Sequence, residues 1–104
     1  MFSIEKLENG DGTVTLCLHG QFDFHAYNDF KPKQTEALDA PGTQYLVMDM
    51  TNLDYLDSAA LGTLLLLREK AQDRDIEVLI RGASGVVQDT LEIAHFRRMF
   101  RFID

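Results

Sequence analysis

The chain has 104 residues, 45% hydrophobic and 26% charged, which is typical of one globular domain with a single core. A net charge of -7 and a pI near 4.8 argue against non-specific nucleic-acid binding and against docking on anionic lipid. A single cysteine, Cys17, excludes an internal disulfide and is expected to be a small buried residue. No signal peptide opens the chain, and its longest apolar run is too short to span a bilayer, so the expected location is the cytoplasm without membrane insertion.

A β-hairpin is predicted at the start of the chain. The turn sequence NGDG at residues 9–12 separates FSIEKLE from TVTLCLHG. In the second run Val14, Leu16 and Leu18 alternate with more polar residues, a period of two that indicates a half-buried strand.

A helical segment is predicted after the hairpin. Phe24, Tyr27, Phe30 and Leu38 are spaced as one helical stripe. Proline lacks an amide hydrogen and clashes with the preceding turn. The helix is therefore expected either to break near Phe30 or to begin around Pro32.

The rest of the chain alternates between strand and helix patterns. QYLVMDM at residues 44–50 is typical of a strand buried on both faces, and IEVLIRG at 76–82 is a second short strand. Residues 58–73 and 84–96 have helical patterns, while the last residues fit either a strand or a continuing helix. This order predicts one α/β domain over residues 1–104, with a mixed sheet of four to five strands flanked by helices.

Few enzymatic chemistries fit the residues. The three histidines are far apart and have no cysteine partner, so no metal site is expected. No glycine-rich phosphate loop and no Gly-x-Ser-x-Gly elbow occur, and we expect neither catalytic residues nor a cofactor.

The serine at position 58 stands between an acidic stretch and a leucine-rich helix, and two arrangements are open. Ser58 is the helix N-cap, or Asp57 is the cap and Ser58 lies in the first turn with its hydroxyl outward. In the second arrangement the helix N-terminus could accommodate a phosphate on Ser58. Leu61, Leu64, Leu65 and Arg68 form one predicted stripe of this helix, and Leu66 and Leu67 cover a second face. One face is expected to pack on the sheet, and the remaining apolar surface is either buried by neighbouring elements or offered to a partner.

Three segments resemble the STAS domains, specifically the bacterial anti-sigma factor antagonists. LDYLDSAALGTLLLL at residues 53–67 is similar to their Asp-Ser-(Ser/Ala)-Gly-Leu-Gly motif after a buried strand. VTLCLHGQFDFHAYNDF at 14–30 resembles their second strand and Gly-x-(Leu/Phe)-Asp turn, and GVVQDTLEIAHFRRMFRF at 85–102 resembles their closing helix. The matches occur in order over nearly the whole chain.

The resemblance implies a partner-switching protein. The unphosphorylated domain would bind an anti-sigma factor of the serine-kinase type, the kinase would phosphorylate the motif serine and be released, and a serine phosphatase would restore binding. Ser58 matches the phosphoacceptor. The implied partner-binding residues, placed in the turn, the loop and the helix start, are Asp23, Asn52, Asp57, Ser58, Ala59, Leu61 and Gly62.

One departure from the family motif and one alternative function remain. Ala60 stands where the family usually has glycine, and its methyl group is expected where the kinase would approach. The same fold occurs in accessory proteins of phospholipid transport and in domains attached to anion transporters. The alternative function is therefore an accessory subunit of a membrane transporter, such as a phospholipid-transport ATPase complex.

Overall fold

The computed structural model describes residues 1–103 and contains a five-stranded sheet and three helices. The strands are β1 (Phe2–Glu8), β2 (Thr13–Phe22), β3 (Tyr45–Leu56), β4 (Glu77–Arg81) and β5 (Arg101–Ile103). The helices are α1 (Tyr27–Asp39), α2 (Ser58–Gln72) and α3 (Gly85–Ile93). The expected mixed α/β sheet is confirmed, and the C-terminal segment that fitted two structures is a strand.

The strands lie in the sheet in chain order, β1-β2-β3-β4-β5. The predicted hairpin pairs β1 antiparallel with β2, and every later neighbour is parallel. The three parallel crossovers all advance in the same direction across the sheet. Because such crossovers are right-handed, the helices that they contain lie on one face.

The core lies between that face and the three helices. Leu16, Met48 and Ile80 project from the central strands and are fully buried, with 0% exposure. The apolar sides of the helices join them in one cluster, contributed mainly by Phe30, Leu38, Leu64, Leu67, Val87 and Leu91. This common core fixes the start of each helix relative to the strand before it.

The opposite face of the sheet is sealed by its own side chains. Thr15, Val47 and Leu79 point away from the helices, yet they are only 3–4% exposed. Cross-strand ion pairs flank them, between Asp49 and Arg81 at 2.9 Å and between Glu77 and Arg101 at 3.5 Å. Strand β3 is therefore buried on both sides at its centre, as its sequence predicts.

Helix α1 differs from both expectations for its proline. It runs without a break from Tyr27 to Asp39, with Pro32 inside it. Pro32 is exposed, so its ring lies on the solvent side, while Phe30 and Leu38 are buried. Burial of these two side chains offsets the one hydrogen bond that the proline cannot donate to the carbonyl of Asn28.

Candidate functional site

Strand β3 extends beyond the end of its neighbour β4 and leads to the candidate site. It continues to Leu56, whereas its pairing with β4 ends at Asp49 and Arg81. The register with β2 shifts twice in this extension, between Cys17 and His19 and between Gly20 and Gln21. At each shift β3 uses one extra residue, which is a β-bulge.

The bulges explain why the acidic stretch looks like a loop in the sequence. They change the spacing of the core residues from two to three, so that Met50, Leu53 and Leu56 are all buried. The expectation that Asn52 lies in a loop is wrong, because Asn52 is within β3 and pairs with His19. It is exposed, and at about 3.3 Å per residue it lies well back along the strand from Ser58.

Asp57, rather than Ser58, caps helix α2. The Asp57 carboxylate Oδ1 accepts a hydrogen bond from the amide of Ala60 at 2.9 Å, and its backbone is extended. Ser58 is the first residue of the helix and is exposed. Among the described residues, no protein group hydrogen-bonds to its hydroxyl. The second of the two arrangements left open by the sequence is therefore the one that occurs.

The first turn of α2 faces solvent with unused amides. The amides of Ala60 and Leu61 bond to the side chain and carbonyl of Asp57, respectively. Those of Ser58 and Ala59 are the remaining free donors of the helix start. Together with the helix dipole they favour a negative group here by about 0.3–1 kcal/mol.

The buried side of α2 includes Leu64 from one predicted face and Leu67 from the other. It consists of Ala60, Thr63, Leu64, Leu67 and Ala71, whereas Leu61, Leu65 and Arg68 are half-buried along its flank. Of the predicted stripe, only Leu64 is fully buried.

Ala60 is also placed differently from the expectation. It is 1% exposed, so its methyl group packs into the core and does not meet an approaching protein. The departure from the usual family glycine therefore fills space inside the domain and leaves the outer surface of α2 unchanged.

The exposed side of α2 is built from small residues beside the serine. Ser58, Ala59 and Gly62 are all exposed, and Leu66 follows one turn later at 51% exposure. A Cβ atom added to Gly62 would meet nothing within 4 Å. The fold therefore does not require glycine at this position, although glycine in a helix costs about 0.5–1 kcal/mol relative to alanine.

The turn after β2 lies against this helix start. The amide of Asp57 donates to the carbonyl of Phe22 at 3.2 Å, which joins the end of β2 to the beginning of α2. The next residue, Asp23, caps a short 3-10 turn over Phe24–Ala26 by accepting from the amide of His25 at 2.9 Å. The structure thus brings Asp23, Asp57 and Ser58 to one edge of the sheet, as the resemblance implies.

Phe24 is the residue at this edge that the helical pattern misplaces. It is 66% exposed and lies outside the buried stripe that was predicted to include it. The cause is the 3-10 turn, which has three residues per turn and therefore shifts Phe24 out of phase with α1. The sequence signal is Asp23, an aspartate three residues before Ala26, the first buried helical position.

Two titratable groups lie on the helix-free face. Burial alone would raise the pKa of Asp49, but hydrogen bonds from Thr51 and from the Arg81 guanidinium outweigh burial and hold that pKa below its ordinary value. Burial, followed by the charge of Asp49, raises the pKa of the Cys17 thiol. Cys17 is half-buried rather than buried, and its thiol stays protonated and unreactive at neutral pH.

The shape of the site suits a macromolecule better than a small ligand. A cavity of about 430 Å³ is lined by Arg68, Gln72 and Met99 towards the far end of α2 from Ser58. The cavity beside Asp23 and His25 is about 230 Å³, below the roughly 300–1,000 Å³ of typical small-molecule sites. Within residues 1–103, no group of three or more histidine, cysteine or carboxylate side chains could hold a metal ion. No helix in the same range has the length and apolarity needed to cross a membrane. An exposed surface of small side chains around a serine is instead what a protein partner can cover closely.

Comparison with known proteins gives consistent matches. The family model of the STAS domain matches residues 5–104. A STAS-domain containing protein of Pseudomonas aeruginosa (strain UCBPP-PA14) is 35% identical over 100 residues, which are 95% of this chain and 97% of that protein. An anti-sigma F factor antagonist of Paenibacillus polymyxa is 27% identical over 60 residues, which are 58% of this chain and 51% of that protein.

The fold matches that of SpoIIAA, an anti-sigma factor antagonist. The unphosphorylated form superposes with a TM-score of 0.77 at 17% identity, over 98% of this chain and 88% of that one. The phosphorylated form of the Bacillus protein gives a TM-score of 0.74 at 15% identity, over 98% and 92% of the two chains. At these identities the likeness is one of fold.

Proposed function

The chain belongs to the STAS domain family, and we propose that within this family it is an anti-sigma factor antagonist that switches partners. In its unphosphorylated form it binds a serine-kinase-type anti-sigma factor, which frees a sigma factor. The kinase transfers the γ-phosphoryl group of ATP to the Ser58 oxygen, with ADP as the leaving group and loss of the hydroxyl proton, and then releases the chain. A serine phosphatase then removes the phosphate and restores binding.

The observation that carries the proposal is the position of Ser58. It is exposed at the first position of α2, while the capping role is taken by Asp57. Its hydroxyl is therefore available to a kinase without loss of a structural hydrogen bond. An anti-sigma F factor antagonist is 27% identical to this chain over 60 residues, and SpoIIAA has been solved with and without phosphate.

The geometry also supports release of the partner by a phosphate on Ser58. At the helix start the phosphate is tolerated by the fold, since free amides and the helix dipole favour it by up to about 1 kcal/mol. In a complex it would be buried against the partner, and the effective penalty of burying an ion is several kcal/mol. The domain therefore stays folded while the complex loses affinity.

The small side chains around Ser58 support a closely covered surface. Ala59 and Gly62 are exposed. Glycine at position 62 makes the helix less stable than alanine would, although the domain has room for a Cβ atom there. Such a surface lets a partner's backbone approach α2 closely. A phosphate added to Ser58 would then lie within the contact and be buried by the partner. Leu61, half-buried beside it, contributes its exposed edge to the same surface.

Calorimetric titration against purified serine-kinase-type anti-sigma proteins from the same genome tests the proposal. Wild type and Ser58→Ala are expected to bind, while Ser58→Asp weakens binding at least about tenfold, since a carboxylate partly mimics phosphate. Ser84→Asp is the matched control, because Ser84 is an exposed serine at the start of α3. Equal affinities of wild type and Ser58→Asp would contradict the switch.

None of these observations favours the alternative of a transporter accessory subunit. That role would require a membrane-transport ATPase as the partner. Purification of the tagged chain separates the two functions, because a switch recovers a kinase of the anti-sigma type and an accessory subunit recovers an ATPase.

A further inference from the structure

Phe24 is an exposed aromatic side chain that the fold does not use. The protein has seven phenylalanines, and Phe24 is 66% exposed. The other six are buried or half-buried. A single exposed apolar side chain is common on protein surfaces, so it is the position of Phe24 beside Ser58 that marks it as a contact for another molecule.

The position of Phe24 ties it to the serine. The carbonyl of Phe22 accepts the amide hydrogen of Asp57 at 3.2 Å, and Phe24 follows two residues later. The turn that carries Phe24 therefore lies next to the start of α2. A protein that covers Ser58 at close range would also meet this ring.

The turn that carries Phe24 is fixed by hydrogen bonds before any partner arrives. Asp23 caps the 3-10 turn through the amide of His25 at 2.9 Å, and the Asp23 carbonyl accepts from Ala26 at 3.0 Å. The Phe24 ring packs on the His25 imidazole, with 3.9 Å between ring centroids. The backbone of the turn therefore has little conformational freedom to lose on binding, which lowers the entropic cost of using Phe24 as an anchor.

A second exposed aromatic residue lies on the other side of the junction. Tyr55 is 44% exposed and is two residues before Asp57, at the end of β3, where it pairs with Gln21 of β2. Aromatic residues contribute much of the binding energy of protein interfaces. Their side chains typically fill pockets on the surface of the partner.

The charge around the two rings specifies the partner further. Asp23, Asp29, Asp54 and Asp57 all lie in this region, and within residues 1–103 none of them forms a salt bridge. Exposed carboxylates around an apolar contact favour a partner whose pocket has a basic rim. The charges on the helix-free face of the sheet differ from these, because acidic and basic side chains there already form ion pairs with each other.

We infer that Phe24 is the apolar anchor by which this chain is held in a basic-rimmed pocket of its anti-sigma partner, with Tyr55 as a supporting contact. The inference rests on the proposed function, because it names the recognition element of the same interface. Phosphorylation of Ser58 still releases this partner. The free-energy cost of burying the phosphate dianion in the interface is larger than the gain from exposed ion pairs between the phosphate and the basic rim.

The experiment measures affinity for each purified serine-kinase-type anti-sigma protein of the same genome, with wild type, Phe24→Ala and Tyr55→Ala. Phe24→Ala is expected to weaken binding at least about tenfold, and Tyr55→Ala by a smaller factor. Ile93→Ala is the matched control, because Ile93 is 80% exposed at the C-terminal end of α3, away from Ser58. Its affinity is expected to stay within about twofold of wild type. Raising the salt concentration is expected to weaken wild-type binding through the acidic rim.

Each outcome separates the anchor from the function. Phe24→Ala folds like wild type because its ring is mostly in solvent, and thermal unfolding monitored by circular dichroism checks this. If wild type binds and Phe24→Ala binds equally well, the anchor is refuted and the proposed function stands. If wild type binds none of the proteins, the proposed function and the anchor fail together.

Discussion

Replacing Gly62 by alanine is expected to make the protein more stable and its interface worse. A Cβ atom at this position meets nothing within 4 Å, so the substitution introduces no clash in the free domain. Alanine in place of a helical glycine raises the free energy of unfolding by about 0.5–1 kcal/mol. For a domain of this size that corresponds to a rise in Tm of about 2–8 °C.

The same methyl group is expected to weaken binding of the anti-sigma partner. Inserting a methyl into a closely packed contact costs about 1–3 kcal/mol, which is roughly fivefold or more in affinity. Urea unfolding followed by circular dichroism measures the first effect, and calorimetric titration measures the second.

A second glycine provides the control for Gly62. Gly85 also has open space around it, but its φ of +56° lies in the left-handed region. Gly85→Ala is therefore expected to lower stability by about 1 kcal/mol. A gain in stability by Gly62→Ala with unchanged affinity would refute the close approach of a partner to α2. A loss of stability would refute the assigned helical geometry.

Three further substitutions test the fold around the site. Asp57→Ala removes the α2 cap and should lower the free energy of unfolding by about 1 kcal/mol in urea titrations, whereas Asp57→Asn should retain most of it; equal losses would contradict the cap. The lowered pKa of Asp49 stabilises the fold above the ordinary carboxyl pKa of about 4, and this contribution disappears as the pH falls through the lower pKa of the folded state. Asp49→Asn should therefore be less stable than wild type at pH 7, with the difference closing in acid; a difference independent of pH would argue against the ion pair with Arg81. Pro32→Ala should raise stability by about 1–3 kcal/mol by restoring a helical hydrogen bond, and an unchanged midpoint would show that the proline is not strained in α1.

Much of the fold follows from local patterns. The turn sequence at residues 9–12 determines the hairpin, because its register with Val14 and Glu8 is set by the turn. The apolar run of Leu46, Val47 and Met48 requires burial on both faces, which only a central strand provides. The alternation of strands and helices then predicts parallel strands joined by right-handed crossovers, whereas the order of the strands in the sheet does not follow from it.

What the patterns miss depends on contacts between distant segments. The two bulges of β3 arise from pairing with β2, so the period of three among Met50, Leu53 and Leu56 does not resemble a strand in the sequence. Ala60 points inward because α2 rests on the sheet through that side, which motif similarity does not reveal. The low helix propensity of Pro32 likewise predicts a break that does not occur. Helix α1 continues through Pro32 because Phe30 and Leu38 on either side of it are buried in the core.

Which of the two candidates for the cap is used is also a question of tertiary structure. Asp57 and Ser58 are both good capping residues, and propensity does not separate them. The hydrogen bond from the amide of Asp57 to the carbonyl of Phe22 holds Asp57 in the extended conformation of a cap. Ser58 is therefore not needed as the cap and its hydroxyl is exposed, which is the basis of the proposed switch.

Phosphate mapping during partner release tests that switch most directly. The chain is incubated with its serine-kinase-type anti-sigma partner and ATP, and samples are divided between mass spectrometry and size-exclusion chromatography. The account predicts phosphate on Ser58 and none on Ser84, with the complex dissociating as Ser58 becomes modified. Phosphate absent from Ser58, or a complex that persists when Ser58 is fully phosphorylated, would contradict it.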